Sequence, residues 1–203
     1  MIMDEVLWRA TTDFGMDAAP GELGFVHDLM NTVSGGKPHR VDLLADLDSA
    51  RAWLDTSLAS LAAATRSPRF DVELSADDLD GFRALRADLR HVAAANHDGE
   101  TASGVPLQVA TAGLQLNSDG SVILRPRGKG ARQIASLVLT LIYRAQLVDS
   151  WRRIKLCRNP KCAAVFYDRS RNNSGVWHDV RVCGNAANLR ASRARRQEGV
   201  IRQ

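Results

Sequence analysis

Apolar residues along this chain recur with two different periods, and each period predicts one kind of element. Steps of three and four residues, typical of an amphipathic helix, run through 21–32, 41–54 with an Ala-rich continuation over 57–65, 79–96 and 131–151. Ser75, followed three residues later by Asp78, resembles a capping box just before the helix over 79–96. Most of the first three quarters of the chain is therefore predicted to be helical.

Between the last two of these helices the apolar period shortens to two. Residues 107–109, 114–116 and 122–124 alternate apolar with smaller or polar side chains, as short strands do. The turn Asn-Ser-Asp-Gly over 117–120 favours a hairpin, because Asp-Gly tolerates a positive φ. The predicted fold class is mainly α with a small antiparallel β-ribbon (α+β), in a helical domain over residues 1–150.

Charge divides the chain after residue 150. Residues 1–150 carry 14 Lys+Arg and 20 Asp+Glu, a net charge of −6, whereas residues 151–203 carry 13 Lys+Arg and 3 Asp+Glu, a net charge of +10. This asymmetry favours an acidic body with a segment that binds polyanions. The alternative is a solvated basic tail that only keeps the protein in solution. Hydrophobic residues at 45% and charged residues at 25% exclude wholesale disorder.

Neither the first residues nor the longest apolar stretch indicates export or a membrane. Asp4 and Glu5 stand where a secretory signal carries positive charge. The apolar stretch 134–148 is interrupted by polar residues and is shorter than the roughly 20 residues that a membrane span needs. We therefore expect a cytoplasmic protein with no membrane partner.

All three cysteines lie in the basic segment, together with one histidine. Cys157 and Cys162 are spaced C-x4-C, and after fifteen residues His178 and Cys183 are spaced H-x4-C. In a reducing compartment, clustered thiols point to a metal, and three thiolates with one imidazole satisfy a tetrahedral Zn²⁺ without water. The spacing predicts a structural Zn²⁺ in a C-terminal zinc-knuckle or treble-clef-like finger over 151–203 that ends in a basic helix.

The histidines of the N-terminal domain show no catalytic pattern. They are scattered along the chain at His27, His39, His91 and His97, with no nucleophile motif, phosphate loop or paired carboxylates near them. For His27, a place in the core or on the surface is favoured over a ligand role. The prediction is that the protein is not an enzyme.

The last quarter of the chain carries a candidate nucleic-acid surface. From Gly184 onward the sequence favours a helix, on which Arg190 and Arg193 share one face. Guanidinium groups bind phosphates bidentately, so the candidate contacts are Arg169, Arg171, Arg181, Arg190, Arg193 and Arg196. Asn185 and Asn188 lie near the helix start, where Asn is more often a cap than a reader of bases.

The segment from Trp151 through Cys157 and Cys162 to Cys183-Gly-Asn185 closely resembles the CGNR zinc-finger family. Upstream, residues 24–32 (GFVHDLMNT) resemble the opening motif of the ABATE domain, which normally precedes this finger. The resemblance implies an ABATE-like helical domain over 1–150, a CGNR-type finger over 151–203, and a stress-linked transcription regulator.

Two positions depart from the family pattern. His178 stands where the family usually has Cys, a change that keeps a zinc ligand. Ala186 stands where the family's signature has Arg. The function of that arginine is therefore absent from this chain or is taken over by Arg190 or Arg181.

The sequence is compatible with three functions. The first is a DNA-binding regulator whose helical domain senses a small molecule, binds a protein or mediates assembly, with a homodimer favoured if the DNA site is palindromic. The second is a zinc-stabilised protein-interaction module without DNA binding. A zinc hydrolase ranks last, because it requires that His178 is not a ligand and that water occupies the fourth coordination position.

Overall fold

The computed structural model describes residues 6–36, 39–97 and 107–190. In these ranges the helices are α1 (Arg9–Thr12), α2 (Leu23–Asn31), α3 (Leu47–Thr65), α4 (Leu79–Ala95) and α5 (Gly130–Leu147), and the strands are β1 (Ala112–Leu116), β2 (Val122–Pro126), β3 (Ile154–Leu156) and β4 (Val165–Tyr167). A π-helical turn over Val180–Gly184 leads into helical residues 185–190. The predicted mainly helical α+β fold is confirmed.

The start of α4 follows its sequence signal, whereas the start of α3 does not. Ser75 and Asp78 form the predicted capping box around a 3₁₀ turn, and α4 begins directly after it. The prediction of a helix from residue 41 was wrong, because α3 begins only after Asp46, whose side chain accepts from Ser49 N at 2.8 Å. Asp42 is instead held in a turn by Arg86 of α4, whose Nη2 donates to it at 2.7 Å.

The hairpin forms at the predicted turn. Strands β1 and β2 pair antiparallel from Ala112 opposite Pro126 to Leu116 opposite Val122. The strand expected at 107–109 was wrong: Gln108 bonds to Asp88 of α4, and none of these residues is in a strand. Helix α5 also stops earlier than expected, at Leu147, before a 3₁₀ turn over Trp151–Arg153.

The body of the protein, residues 6–150, is built around α2 and α5. Phe25 and Leu29 of α2 and Ile134 and Val138 of α5 are fully buried. Trp53 of α3 lies between two aromatic rings, with its centroid 5.7 Å from Phe25 and 5.8 Å from Phe82 of α4. In the described part of the chain, no helix is long and apolar enough to cross a membrane.

Hydrogen bonds tie the finger, residues 151–190 as described, to the body. Asn31 at the end of α2 pairs with Val165 of β4 like a neighbouring strand, donating from Nδ2 to the Val165 oxygen at 2.9 Å and accepting from Val165 N at 3.0 Å. Arg90 of α4 donates to the Met30 oxygen at 2.6 Å and to the Ala163 oxygen at 2.7 Å. The predicted domain boundary after residue 150 stays a prediction, but the two parts are packed together.

Candidate metal centre

Cys157 and Cys162 lie at the two ends of a tight knuckle that follows β3. Asn159 closes the knuckle through its carbonyl oxygen, which accepts from Cys162 N at 2.8 Å and from Ala163 N at 3.1 Å. Cys157 N donates to the Ala164 oxygen at 2.8 Å, which pairs the entry and the exit of the knuckle. Ala163 completes the turn with a φ of 52°. Both sulfur atoms are thereby held on one side of the loop.

His178 and Cys183 are brought together by the π-helical turn. Asp179 caps this turn, because its Oδ1 accepts from Arg181 N at 2.7 Å and from Val182 N at 3.0 Å. A π-turn is wider than an α-turn and is common at functional sites. Here the wide turn places the Cys183 sulfur beside the ring of His178.

The four predicted ligands converge on one point. The ligand atoms of Cys157, Cys162, His178 and Cys183 all lie within 4.8 Å of one another. His178 Nδ1 is 3.3 Å from the Cys162 sulfur and 3.5 Å from the Cys183 sulfur. A tetrahedral Zn²⁺ with bonds of about 2.3 Å to sulfur and about 2.0 Å to nitrogen requires S···N edges of about 3.5 Å. The donor set and its spacing therefore fit zinc, with all four positions supplied by the protein.

Comparison with known families finds matches in two parts of the chain. Residues 24–142, more than half of the chain, match the model of the ABATE family, which is described as "Putative stress-induced transcription regulator". The chain belongs to the ABATE family. Residues 153–196 match the model of the CGNR zinc finger, and a search of curated proteins found no match. With the finger model and the four-ligand cluster in agreement, the cofactor of this ABATE-family protein is a structural zinc ion.

Each zinc-ligand sulfur also accepts hydrogen bonds. Asn159 Nδ2 donates to the Cys183 sulfur at 3.2 Å, and Ala164 N donates to the Cys162 sulfur at 3.4 Å. A hydrogen bond from the Cys162 thiol lowers the pKa of Cys157 to about 4 against the opposing effect of burial, helped by His178 and Asn159. The same bond and burial raise the pKa of Cys162. The direction of the Cys157 pKa shift favours a thiolate at that position, the form that binds zinc.

The hydrophobic support of the finger comes partly from the body. Sequence reasoning assigned its core to Phe166, Tyr167 and Trp177. Phe166 and Trp177 do pack around the ligand cysteines, but Phe14 and Met16 of the body join them, and Tyr167 packs against the main core instead. Nothing local in the sequence linked Phe14 and Met16 to a site more than 140 residues away.

A buried ion pair that the sequence analysis missed holds the loop after β4. Lys155 Nζ lies 2.8 Å from Asp168 Oδ2, and both side chains are 3% exposed. Lys155 also donates to the Asn173 oxygen at 2.6 Å, and Gly175 N donates to Asp168 at 2.6 Å. Burial alone would raise the pKa of Asp168, but the hydrogen bonds from Lys155, Ser170 and Gly175 outweigh it and lower the pKa to about 2. The Asp168 carboxylate therefore stays charged at neutral pH.

The predicted nucleic-acid contacts separate into two groups. Arg171 and Arg181 are exposed, and their side chains make no hydrogen bond to the rest of the described chain. Arg169 donates to the Ala18 oxygen at 2.8 Å and stacks over the Tyr167 ring, and Arg190 donates to Asn159 at 2.9 Å. Arg193 and Arg196 lie outside the described residues. Within the described chain, only Arg171 and Arg181 of the six have guanidinium groups without an intramolecular hydrogen bond.

Proposed function

We propose that this ABATE-family protein is a DNA-binding transcription regulator in which the zinc finger carries the contact surface. One observation carries the proposal: the net charge of +10 is confined to residues 151–203, the part of the sequence that contains all four zinc ligands. A positive surface of this kind binds a phosphate backbone through charge, with counterion release as the driving force. The family description as a transcription regulator supports the same function.

The zinc ligands would act by fixing the direction of the basic helix. Cys183 closes the π-helical turn, and residues 185–190 continue from that turn as a helix. Zinc binding at Cys183 would therefore set the orientation of the helix that carries Arg190. Arg171 and Arg181, both exposed, would add phosphate contacts beside it.

The zinc itself would have no catalytic part. A catalytic zinc keeps one coordination position for water or substrate, whereas this site offers four protein donors. This supports our proposal that the protein is not an enzyme, and it disfavours the zinc hydrolase.

The body would regulate DNA binding by the finger. An open groove of about 1580 Å³ lies between α3 and the start of α5, lined among others by Arg51, Leu58, Leu74 and Arg132. Its size would admit a small molecule, so we propose a small-molecule or protein partner for the body. Homodimerisation remains part of the proposal, as does a cytoplasmic location on the nucleoid.

Binding of the zinc-loaded protein to random duplex DNA at several salt concentrations tests the proposal. We expect the double variant Arg171→Gln/Arg181→Gln to bind more weakly, with a salt slope smaller by about 2. The matched control is Arg9→Gln/Arg132→Gln, which removes the same charge from exposed positions of the body. Absence of binding at low salt, or equal losses in the two double variants, would refute the proposal.

A protein-interaction module is the second candidate, and one observation favours it. Val180, Val182 and Leu189 are 68%, 62% and 59% exposed beside the basic residues of the finger. Exposed apolar side chains next to positive charge suit an acidic protein partner with an apolar strip. Under this alternative the DNA assay gives no binding at any salt concentration.

A further inference from the structure

We infer that Asn159 and Arg190 form a relay that positions the Cys183 thiolate and thereby slows the loss of zinc. The two side chains are linked in series: Arg190 Nη2 donates to Asn159 Oδ1 at 2.9 Å, and Asn159 Nδ2 donates to the Cys183 sulfur at 3.2 Å. Neither is a zinc ligand, so both act through Cys183. This role needs no DNA and is independent of the proposed function.

The orientation of the Asn159 amide is fixed by its surroundings. Its side chain is buried, with the residue 6% exposed, and its Oδ1 accepts from two donors, Arg190 Nη2 and, at 3.2 Å, Lys161 N. A flipped amide would turn its NH₂ group towards those donors and its oxygen towards the sulfur. The Nδ2–H groups therefore have only one satisfactory direction, towards Cys183.

The relay also suits the charge of the site. Three thiolates, a neutral imidazole and Zn²⁺ leave a net charge of −1 in a largely buried cluster. The Arg190 guanidinium polarises the Asn159 amide and strengthens the hydrogen bond that the amide donates to Cys183. Hydrogen bonds of this kind orient metal ligands, and their loss typically costs about 10- to 100-fold in metal affinity.

Arg190 is placed for this role by the helix that follows Cys183. The arginine of the CGNR signature falls at Ala186 in this chain, and Arg190 lies one helical turn later on the same face. In this chain Arg190 supplies the guanidinium that reaches the knuckle. The same contact joins the first pair of ligands to the C-terminal helix, since Asn159 lies between Cys157 and Cys162.

The test is zinc release from the loaded full-length protein to a chromogenic chelator. We expect release about 10-fold faster or more for Asn159→Ala, and an increase of at least about 3-fold for Arg190→Gln that Arg190→Lys largely reverses. The matched control is Arg181→Gln, which removes the same charge near Cys183 from a side chain with no hydrogen bond in the described chain. It should leave the rate unchanged.

The double variant Asn159→Ala/Arg190→Gln separates a relay from two independent contributions. In a relay, Arg190→Gln adds almost nothing once Asn159 is gone, so the double variant matches Asn159→Ala. The inference would be overturned if the fold-increases of the two single variants multiply in the double variant. Equal zinc-release rates for Arg190→Gln and Arg181→Gln would also overturn it.

Replacing zinc with cobalt gives an absorption band that reports the electronic state of the ligand sulfurs. A merely structural role of Asn159 and Arg190 would leave the wavelength of this band unchanged. Loss of the N–H donor raises the energy of the Cys183 sulfur electrons, so the sulfur-to-cobalt charge-transfer band should shift to longer wavelength in both Asn159→Ala and Arg190→Gln. An unshifted band in Arg190→Gln contradicts the relay. Should Asn159→Ala fail to fold, the comparison of Arg190→Gln, Arg190→Lys and Arg181→Gln still decides the matter.

Discussion

His27 should make this protein sensitive to mild acid. Its ring is fully buried and bonded at both nitrogens: Nδ1 accepts from Ala19 N at 3.0 Å, and Nε2 donates to the Val165 oxygen at 2.8 Å. Burial lowers the pKa of His27 from 6.5 to about 4; the charge of Arg169 acts in the same direction, and the bond to Val165 opposes it. A protonated ring would also lose its acceptor for Ala19.

The magnitude follows from the difference between the folded and unfolded pKa values. Above pH 6.5 the ring is neutral in both states, so the full stability is present. As the pH falls from 6.5 towards 4, the unfolded chain binds a proton at His27 that the folded protein does not, and the free energy of unfolding decreases. The pKa difference of about 2.5 corresponds to about 3 kcal/mol at 1.36 kcal/mol per unit.

Urea unfolding of the zinc-loaded protein between about pH 7.5 and about pH 4.5 measures this loss. Because acid also protonates the ligand thiolates and releases zinc, the control is His27→Gln, which keeps a donor and an acceptor but does not titrate. We expect the variant to be less stable at neutral pH and to lose about 2.5 kcal/mol less between these two pH values, because the lower one is still above the folded pKa of His27. Parallel pH profiles for the two proteins would refute the reasoning.

Four further predictions concern the finger and its support. Asp168→Asn should destabilise the protein by about 3 to 5 kcal/mol, measured by urea unfolding, because it leaves Lys155 buried without its counter-charge; a loss below 1 kcal/mol would contradict this. Gly36→Ala should weaken zinc binding in a chelator competition, since its Cβ would overlap the backbone of Lys161 in the knuckle. Ala163→Gly should raise stability in the same unfolding assay by about 1 kcal/mol, because glycine adopts a φ of 52° without strain. Chelation of zinc should lower the thermal midpoint of the body together with that of the finger, and a body transition that does not move would contradict the observed packing.

Local signals in the sequence determined a large part of the structure. The capping box of Ser75 and Asp78, the Asp-Gly turn of the hairpin and the helical periods of α2 and α4 appear where they were predicted, and α5 begins at its predicted start but ends earlier. The zinc ligands also followed from spacing, because a tetrahedral ion accepts few donor sets. In each case residues near one another in sequence carry the whole signal, so the physics is local.

Tertiary structure decided two kinds of feature. In one, a distant residue overrides the conformation that a segment prefers by itself, and in the other, a side chain finds its packing partner far away in the sequence. The apolar pattern over 41–46 favours a helix, yet Arg86, 44 positions from Asp42, binds this segment as a turn. Phe14 reaches the core of the finger, and His27 is buried against Val165. A hydrophobic period or a short motif encodes the conformational preference of its own segment. The partner of a buried polar or aromatic side chain is determined only when the whole chain packs.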